Sequence, residues 1–326
     1  MGYHRVVEDF DRSAGSSIPA TLISRSMLER HIDWIGRRFE FVSLDEVVMH
    51  QERNEGFRRP SAALTFDDGY QDVYDLAFPM LKAKGIPAAV FVVTALAGTA
   101  RVPLYDRLYL AMTRARTAWP SSADRLAWIV ADLGLSIPGL RDPFDDLGDP
   151  FRLTRILLEG TTRADLERVV EVIEMEVGVD EARMRERQPL TWDMILTMQR
   201  SGITIGSHTR THALLTLENE QGVEQEVLGS RQELEEHVGS PIRHFAYPNG
   251  WFDDATVGAV ERAGYRGAYT SCRHRDPVRP LFTMPRTLLW EKSSLGMLGG
   301  FSPAVMGCHA DGTFERHRGC PLNHWN

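Results

Sequence analysis

The chain has 326 residues, of which 43% are hydrophobic and 25% are charged, as in ordinary globular proteins. Its formal net charge of −8 at pH 7 argues against a nucleic-acid partner, because phosphates favour basic surfaces. No stretch approaches the roughly 20 apolar residues that span a bilayer, and the N-terminus lacks the basic and apolar regions of a signal peptide. We therefore expect a cytoplasmic protein without a transmembrane segment, and its oligomeric state stays open.

The first part of the chain alternates between strand and helix patterns. Apolar residues at helical spacing predict an amphipathic helix over 26–39. Residues 62–66 form a short apolar run that ends at Asp-Asp-Gly, which predicts a buried strand meeting a turn. A helix is expected over 71–84, ending at Gly85, and a second buried strand over 88–93.

Residues 100–190 break this alternation. The segment contains helical patterns without strand-like runs, interrupted by a loop rich in Pro, Gly and Asp at 136–150. We interpret it as a helical insertion within a single catalytic domain covering 1–326. Residues 291–326 are expected to form a C-terminal tail that packs on this domain.

Alternation resumes after the insertion. Helices are expected over 191–201, 218–238 and 253–263. They alternate with strands expected over 203–207, 244–248 and 267–271. Strands that alternate with helices imply parallel strands with crossover connections. Functional sites in such folds form at the carboxyl ends of the strands. The strand ends carry Asp67 with Asp68, His208 and Tyr247, so three strands direct polar groups to one face.

The first of these groups is the acidic pair Asp67 and Asp68 in TFDDGY. Taken alone, the pair favours a tight turn, since Asp-Gly is a common turn signal. The second group is GSHTRTH, where His208 and His212 stand four residues apart. On a helical turn this spacing puts both imidazoles on one side, within reach of one ion.

Together the two groups predict a metal centre. Two imidazoles and a carboxylate are a common ligand set for catalytic zinc, and they leave a coordination position open. A divalent ion would activate water and polarise a substrate carbonyl, while the second carboxylate would serve as the base. We therefore expect one divalent metal ion as cofactor, with zinc as the first choice.

A third segment, HFAYPNGWFDD at 244–254, ends a strand. It is either a simple Pro-Asn-Gly turn or a loop whose backbone N–H groups stabilise an oxyanion. Pro248 has no N–H, so Tyr247 is the candidate donor. His4 follows a possible first strand, and a place in the site and a structural role are equally open for it.

These three segments resemble the motifs of the polysaccharide deacetylases of the NodB-homology family, also called carbohydrate esterase family four. TFDDGY is similar to the first motif, SHTRTH to the second, and FAYPNG to the third in the branch that reads Phe-x-Tyr-Pro-x-Gly. The segments YHRV (3–6), VSLDEV (42–47) and MPRTLL (284–289) also resemble that branch. The resemblance implies a distorted (β/α) barrel of the NodB-homology type, here with a helical insertion.

The resemblance also implies roles for matching positions. Asp67 corresponds to the catalytic base, and Asp68, His208 and His212 correspond to the metal ligands. Tyr247 corresponds to the oxyanion residue, acting through its backbone N–H. The late Leu-x-Leu-x-His motif of many members is absent, so the general acid has no assignment. The segment nearest to that motif is FTMPRTLL at 282–289, which has no histidine. Three roles stay open for its Arg286: orienting the base, forming a structural ion pair, or contacting substrate.

The expected function is removal of N-acetyl groups from an amino sugar in a glycan, a glycan precursor or a glycoside. Two alternatives stay open. The same fold could act on a non-sugar amide, because no residue of the motifs is specific for a sugar. A catalytically silent sugar-binding module is the other, although the presence of all four site residues argues against it.

Overall fold

A curled parallel sheet forms the centre of the molecule. The computed structural model describes residues 1–137, 140 and 149–314, and all structural statements concern these residues. The strands are β1 Gly2–Tyr3, β2 Arg5–Val7, β3 Leu22–Ser24, β4 Glu40–Phe41, β5 Ser61–Ala62, β6 Leu64–Phe66, β7 Ala88–Val92, β8 Thr204–Ser207, β9 His244–Ala246, β10 Gly267–Thr270 and β11 Met284–Pro285.

Seven of these strands form the main sheet in the order β1-β6-β7-β8-β9-β10-β11. All neighbouring pairs are parallel. A parallel bridge between Gly2 and Leu288 joins the segment after β11 to β1, so the sheet curls round toward closure. Strands β2 with β3 and β4 with β5 form two small separate sheets. The predicted distorted (β/α) barrel is confirmed.

Helices surround the sheet. They are α1 Phe10–Ala14, α2 Arg25–Gly36, α3 Leu44–Glu52, α4 Phe78–Lys84, α5 Leu104–Ala118, α6 Ser122–Asp132, α7 Pro150–Gly160, α8 Arg163–Val177, α9 Glu181–Arg185, α10 Trp192–Arg200, α11 Glu220–Val238, α12 Asp254–Arg262 and α13 Pro303–Ala310. The helix expected over 71–84 begins with a π-helical turn at Val73–Ala77. It ends as expected at Gly85, whose φ of 64° is left-handed.

The local sequence explains why these elements form. All five residues of β7 are buried, as expected for a strand of a parallel sheet covered on both faces. Helix α2 starts where the Ser24 side chain accepts a hydrogen bond from the Met27 N–H, and it buries a stripe that includes Leu28 and Ile32. Apolar periodicity therefore fixes which face of each element meets the core.

The predicted insertion consists of helices α5 to α9. It has a hydrophobic cluster of its own, which includes Leu108, Leu157 and Val170. Helix α7 was not predicted, because it begins at Pro150, within the segment 136–150 that was assigned to a loop. Residues 138–139 and 141–148, which include most of that loop, lie outside the described residues.

The tail was expected to pack on the barrel. Within its described part, Met306 of α13 is fully buried in the main core, and His309 Nε2 donates to the Ser293 carbonyl at 2.8 Å. Residues 315–326 of the tail lie outside the described residues. Among the described helices, none combines the length and apolar character that a bilayer crossing requires.

Candidate active site

The acidic pair occupies the turn directly after β6. The Asp67 N–H donates to the Tyr3 carbonyl at 2.9 Å, which extends the pairing of β6 with β1. Asp68 and Gly69 then both take left-handed backbone conformations, with φ of 73° and 71°. Such a conformation is costly for a residue with a side chain and is common at functional sites. The turn separates the two carboxylates, so that each meets different partners.

Asp67 is held by an arginine from the far edge of the sheet. Arg286, directly after β11, donates from its two terminal nitrogens to the two Asp67 carboxylate oxygens at 2.7 and 2.8 Å. It also donates to Thr65 Oγ1 at 2.9 Å. Burial tends to raise the pKa of Asp67, but the charge of Arg286, its hydrogen bonds and the charges of His208 and His4 together lower that pKa below its ordinary value. The carboxylate is therefore ionised and fixed in orientation.

The two histidines follow β8, but not on a helical turn as the spacing suggested. Thr209 and His212 have left-handed φ of 63° and 62°, and the segment is a loop. Glu226 of α11 organises it: the carboxylate accepts from the Arg210 and Thr211 N–H groups at 2.9 and 2.8 Å and from the Thr211 hydroxyl at 2.6 Å. The helical-turn prediction is wrong because this carboxylate satisfies the backbone donors instead.

Asp68 and the two histidines nevertheless converge. Asp68 Oδ1 lies 3.4 Å from His208 Nε2 and 3.4 Å from His212 Nε2. One ligand atom from each residue lies within 4.8 Å of the others. The buried Oδ1 atom has no hydrogen-bond partner among the described residues. An orphaned carboxylate oxygen between two ring nitrogens fits a divalent cation, so these residues could hold one.

Electrostatics around the cluster favour a cation. Burial opposes ionisation of Asp68, but His208, with the charges of His4 and His212, holds its pKa below the ordinary value. Burial, with the neighbouring His208, lowers the pKa of His212 to about 4. Burial opposes a charge on His208 as well, yet Asp68 and Asp67 raise its pKa. A cation bound here would therefore compete with a proton for that imidazole.

The third segment places Tyr247 within the sheet. Its N–H donates to the Tyr269 carbonyl at 3.1 Å as part of the sheet, and its hydroxyl donates to the Phe282 carbonyl at 3.0 Å. Both Tyr247 donors therefore have acceptors within the protein, and this arrangement does not favour the predicted role of its N–H at an oxyanion. Asn249, two residues on, has a left-handed φ of 54°. Within the described part of the chain no acceptor pairs with the Asn249 N–H.

A cavity of about 300 Å³ joins these groups. Asp67, both histidines, Tyr247, Arg286 and His4 all border it, so the structure brings the predicted site residues together. Asp68 lies beneath them and is 4% exposed. The Arg286 guanidinium is committed to Asp67 and Thr65, which gives it a positioning contact rather than a free group for substrate.

The cavity also has walls that sequence reasoning missed. Glu159 of α7 borders it from the insertion, and Asn249, Trp251 and Ser271 border it from the loops after β9 and β10. Burial raises the pKa of Glu159, partly offset by the Arg155 charge. No motif in the sequence marks Glu159, and the helix that carries it, α7, was not predicted.

A parallel barrel whose strand ends gather an acid pair and two imidazoles is typical of metal-assisted hydrolases. The polysaccharide deacetylase family model matches residues 54–127 and 155–268, which together make up more than half of the chain. The chain therefore belongs to the polysaccharide deacetylase family.

Known relatives agree with this family. A poly-beta-1,6-N-acetyl-D-glucosamine N-deacetylase of Staphylococcus epidermidis is 31% identical over 102 residues, covering 29% of this chain and 35% of the relative. Its counterpart in Staphylococcus aureus is 28% identical over 102 residues with the same coverage. The chain thus matches about a third of the length of these curated relatives.

Solved structures show the same fold. Streptococcus pyogenes deacetylase PplD in complex with acetate superposes with a TM-score of 0.58 at 16% identity, covering 95% of this chain and 96% of that chain. IcaB from Ammonifex degensii superposes with a TM-score of 0.54 at 19% identity, covering 90% and 91%. At these identities the likeness concerns the fold.

Proposed function

We propose that the protein is a metal-dependent N-deacetylase that hydrolyses the acetamido group of an N-acetylated amino sugar in a glycan, glycan precursor or glycoside. One observation carries the proposal: a carboxylate held by Arg286 borders the same cavity as the two histidines of an Asp–His–His ligand set. Family membership supports the reaction class. The names of the staphylococcal relatives support N-acetylglucosamine polymers as the substrate class.

Asp68, His208 and His212 would hold the metal ion through Asp68 Oδ1 and the two Nε2 atoms. His208 Nδ1 donates to the Ala246 carbonyl at 2.7 Å, so in the neutral ring the Nε2 lone pair is directed to the cluster. Two imidazoles and one carboxylate favour zinc. When bound, the ion would supply Lewis-acid activation of water and of the acetamide carbonyl.

Asp67 is the base in this proposal. Its carboxylate is adjacent to a metal ligand in sequence but is turned to Arg286, so it stays ionised and keeps oxygen lone pairs for a proton. Arg286 acts by positioning: its two donors fix the carboxylate plane, which a single surface charge would not do. The base would take a proton from the attacking water molecule.

Asn249 is the oxyanion donor in this proposal, replacing Tyr247. Its N–H has no acceptor in the described structure and its residue borders the cavity. The loop conformation depends on Gly250, whose φ is 74°. A backbone donor held this way stabilises negative charge on the acetamide oxygen without reorganising during the reaction.

The size and lining of the cavity support a small acetylated group as the reacting unit. A volume of about 300 Å³ is at the lower end for small-ligand sites. Trp251 offers an aromatic surface at the border, and Glu159 offers a carboxylate acceptor for a sugar hydroxyl. The insertion would therefore contribute to substrate choice.

The test is acetate release by purified protein from poly-N-acetylglucosamine, chitooligosaccharides and simple acetylamines. We expect release from the sugars, loss of release after chelation, and recovery with Zn²⁺. His208→Ala and His212→Ala should lose both the metal and the activity. His237→Ala is the matched control, because His237 is an exposed histidine on α11. Full activity in metal-free protein would refute metal dependence. Acetate release from acetylamines alone would refute an amino sugar as the substrate.

A further inference from the structure

The two histidines of the proposed metal centre are supported differently. His208 Nδ1 donates to the Ala246 carbonyl at 2.7 Å, the usual arrangement that sets the tautomer and ring orientation of a ligating histidine. His212 has no such hydrogen bond from its ring in the described structure. Its backbone N–H donates to Thr209 Oγ1 at 2.9 Å, which fixes the main chain but does not set the orientation of the ring.

An aromatic ring from the insertion takes the place of that hydrogen bond. The Tyr105 ring, on α5, lies with its centroid 4.8 Å from that of His212 at an interplanar angle of 53°. The His208 ring packs edge-on against His212 from another direction, at 4.9 Å. Since rings at this distance are in contact, the two neighbours confine the His212 imidazole.

Tyr105 is itself immobilised by a buried polar network. The Tyr70 hydroxyl donates to Asp106 Oδ2 at 2.6 Å, so the Tyr105 hydroxyl, 2.6 Å away, donates to the Tyr70 oxygen. Asp106 pairs with Arg187, whose side chain is fully buried, with 3.6 Å between Arg187 Nε and Asp106 Oδ1. Arg187 also donates to Ser17 Oγ at 2.6 Å.

The network ties the insertion to the barrel. Arg5 of β2 donates to Asp72 Oδ2 at 2.8 Å and to Ser17 Oγ at 3.2 Å. The buried guanidinium groups of Arg5 and Arg187 therefore donate to the same Ser17 hydroxyl. Two arginines balance two aspartates, which is the condition under which buried charges are tolerated. Arg163 of α8 adds a second contact with the histidine loop, donating to the Thr211 carbonyl at 3.3 Å.

We propose that the helical insertion completes the metal centre, with Tyr105 as a positioning residue whose ring holds His212 in its ligating orientation. This inference rests on the proposed Asp–His–His centre. It assigns the insertion a part in metal affinity that is separate from any contact with substrate. Removing the ring should weaken metal binding strongly, whereas removing only the hydroxyl should weaken it less, because the ring contact with His212 remains.

The test is a titration of metal-free protein with Co²⁺, followed by its visible absorption bands, which report both affinity and coordination geometry. Tyr105→Leu should weaken Co²⁺ binding about 10- to 100-fold, the usual effect of losing the outer support of a ligand, and should alter the band shape. Tyr105→Phe keeps the ring and loses only the hydrogen bond to Tyr70, so it should weaken Co²⁺ binding much less than Tyr105→Leu does. Tyr109→Leu, one turn along the same helix, is the matched control and should also bind normally.

The outcomes separate this inference from the function on which it rests. If wild-type protein and Tyr105→Leu bind Co²⁺ equally well, the inference is wrong and the centre stands. Equal weakening in Tyr109→Leu, or in Tyr105→Phe, would also overturn it, because helix stability or the hydroxyl would then be responsible. If the wild type binds no Co²⁺, both the inference and the proposed centre fail. Thermal unfolding in chelator shows whether each variant is folded.

Discussion

Arg286 offers the sharpest test of how the site works, because its side chain and that of Asp67 are 5% and 3% exposed. In Arg286→Met the Asp67 carboxylate loses both charge-assisted hydrogen bonds and is left buried without its partner. Breaking a buried pair in this way costs about 3–5 kcal/mol of stability. We therefore expect a lower free energy of unfolding and a large fall in kcat, with the metal ligands intact.

Arg286→Lys separates charge from geometry. An ammonium group preserves the positive charge but cannot donate to both carboxylate oxygens in the planar arrangement of a guanidinium. Loss of one hydrogen bond to a charged group is worth about 1.5–3 kcal/mol. If that energy serves to orient the base in the transition state, kcat should fall about 10- to 150-fold, since each 1.36 kcal/mol is tenfold in rate.

The assay is steady-state acetate release, with metal content measured by elemental analysis and stability by urea unfolding. Arg266→Met is the matched control. Arg266 pairs with Glu52 at 2.6 Å, but these side chains are 42% and 37% exposed, and exposed pairs contribute only about 0–1 kcal/mol. Unchanged kcat in Arg286→Met with full metal content would refute the positioning argument.

Three further predictions test other parts of the molecule. In Gly250→Ala the new Cβ would lie 2.5 Å from the Ser271 backbone nitrogen at a left-handed φ, so the loop must move and kcat should fall about 10²-fold or more. Burial, together with the nearby His309, lowers the pKa of His31 to about 4. Its contribution to stability is complete above pH 6.5 and should be lost, up to about 3 kcal/mol, as pH falls toward 4. Glu159→Gln should raise KM for acetylated sugars more than it lowers kcat, because Glu159 borders the cavity but is neither a proposed metal ligand nor the proposed base.

Each of these has a measurement that decides it. Gly85→Ala is the control for Gly250, since a Cβ at Gly85 meets no atom within 4 Å; equal activity loss in both would show general strain. Urea unfolding of wild type and His31→Gln across pH 4–7 isolates the histidine, and identical pH slopes would refute its role. A loss of kcat without change in KM for Glu159→Gln would instead indicate a part in the chemistry.

Sequence reasoning recovered the barrel because its signals are local. Buried parallel strands read as continuous apolar runs, such as 88–93, and their carboxyl ends are the places where side chains converge. Asp68, His208 and His212 were found for that reason. Their convergence does not depend on the helical turn that was expected between the histidines. The parallel register of β6, β7 and β8 already brings the strand ends together.

The errors came from long-range contacts that no local pattern encodes. Helix α11 is rich in glutamate, a pattern typical of a solvent-exposed face, yet Glu226 turns inward to bind the N–H groups of Arg210 and Thr211. Glu226 lies 16 and 15 residues beyond these two residues in the sequence. A glutamate on a polar helix carries no signal that distinguishes this role from solvation, because the difference lies in where the loop runs.

The oxyanion donor illustrates the same limit at finer scale. Pro-Asn-Gly indicates a turn after a strand, but it does not determine which backbone N–H groups are hydrogen-bonded within the sheet. That depends on the register of β9 with β10, in which Tyr269 lies opposite Ala246 and its carbonyl accepts from the next N–H, that of Tyr247. Pro248 has no N–H, so Asn249 carries the first N–H that the sheet leaves unpaired. A one-residue change in register would move this unpaired N–H along the chain, so the proposed donor depends on the fold and not on the local sequence.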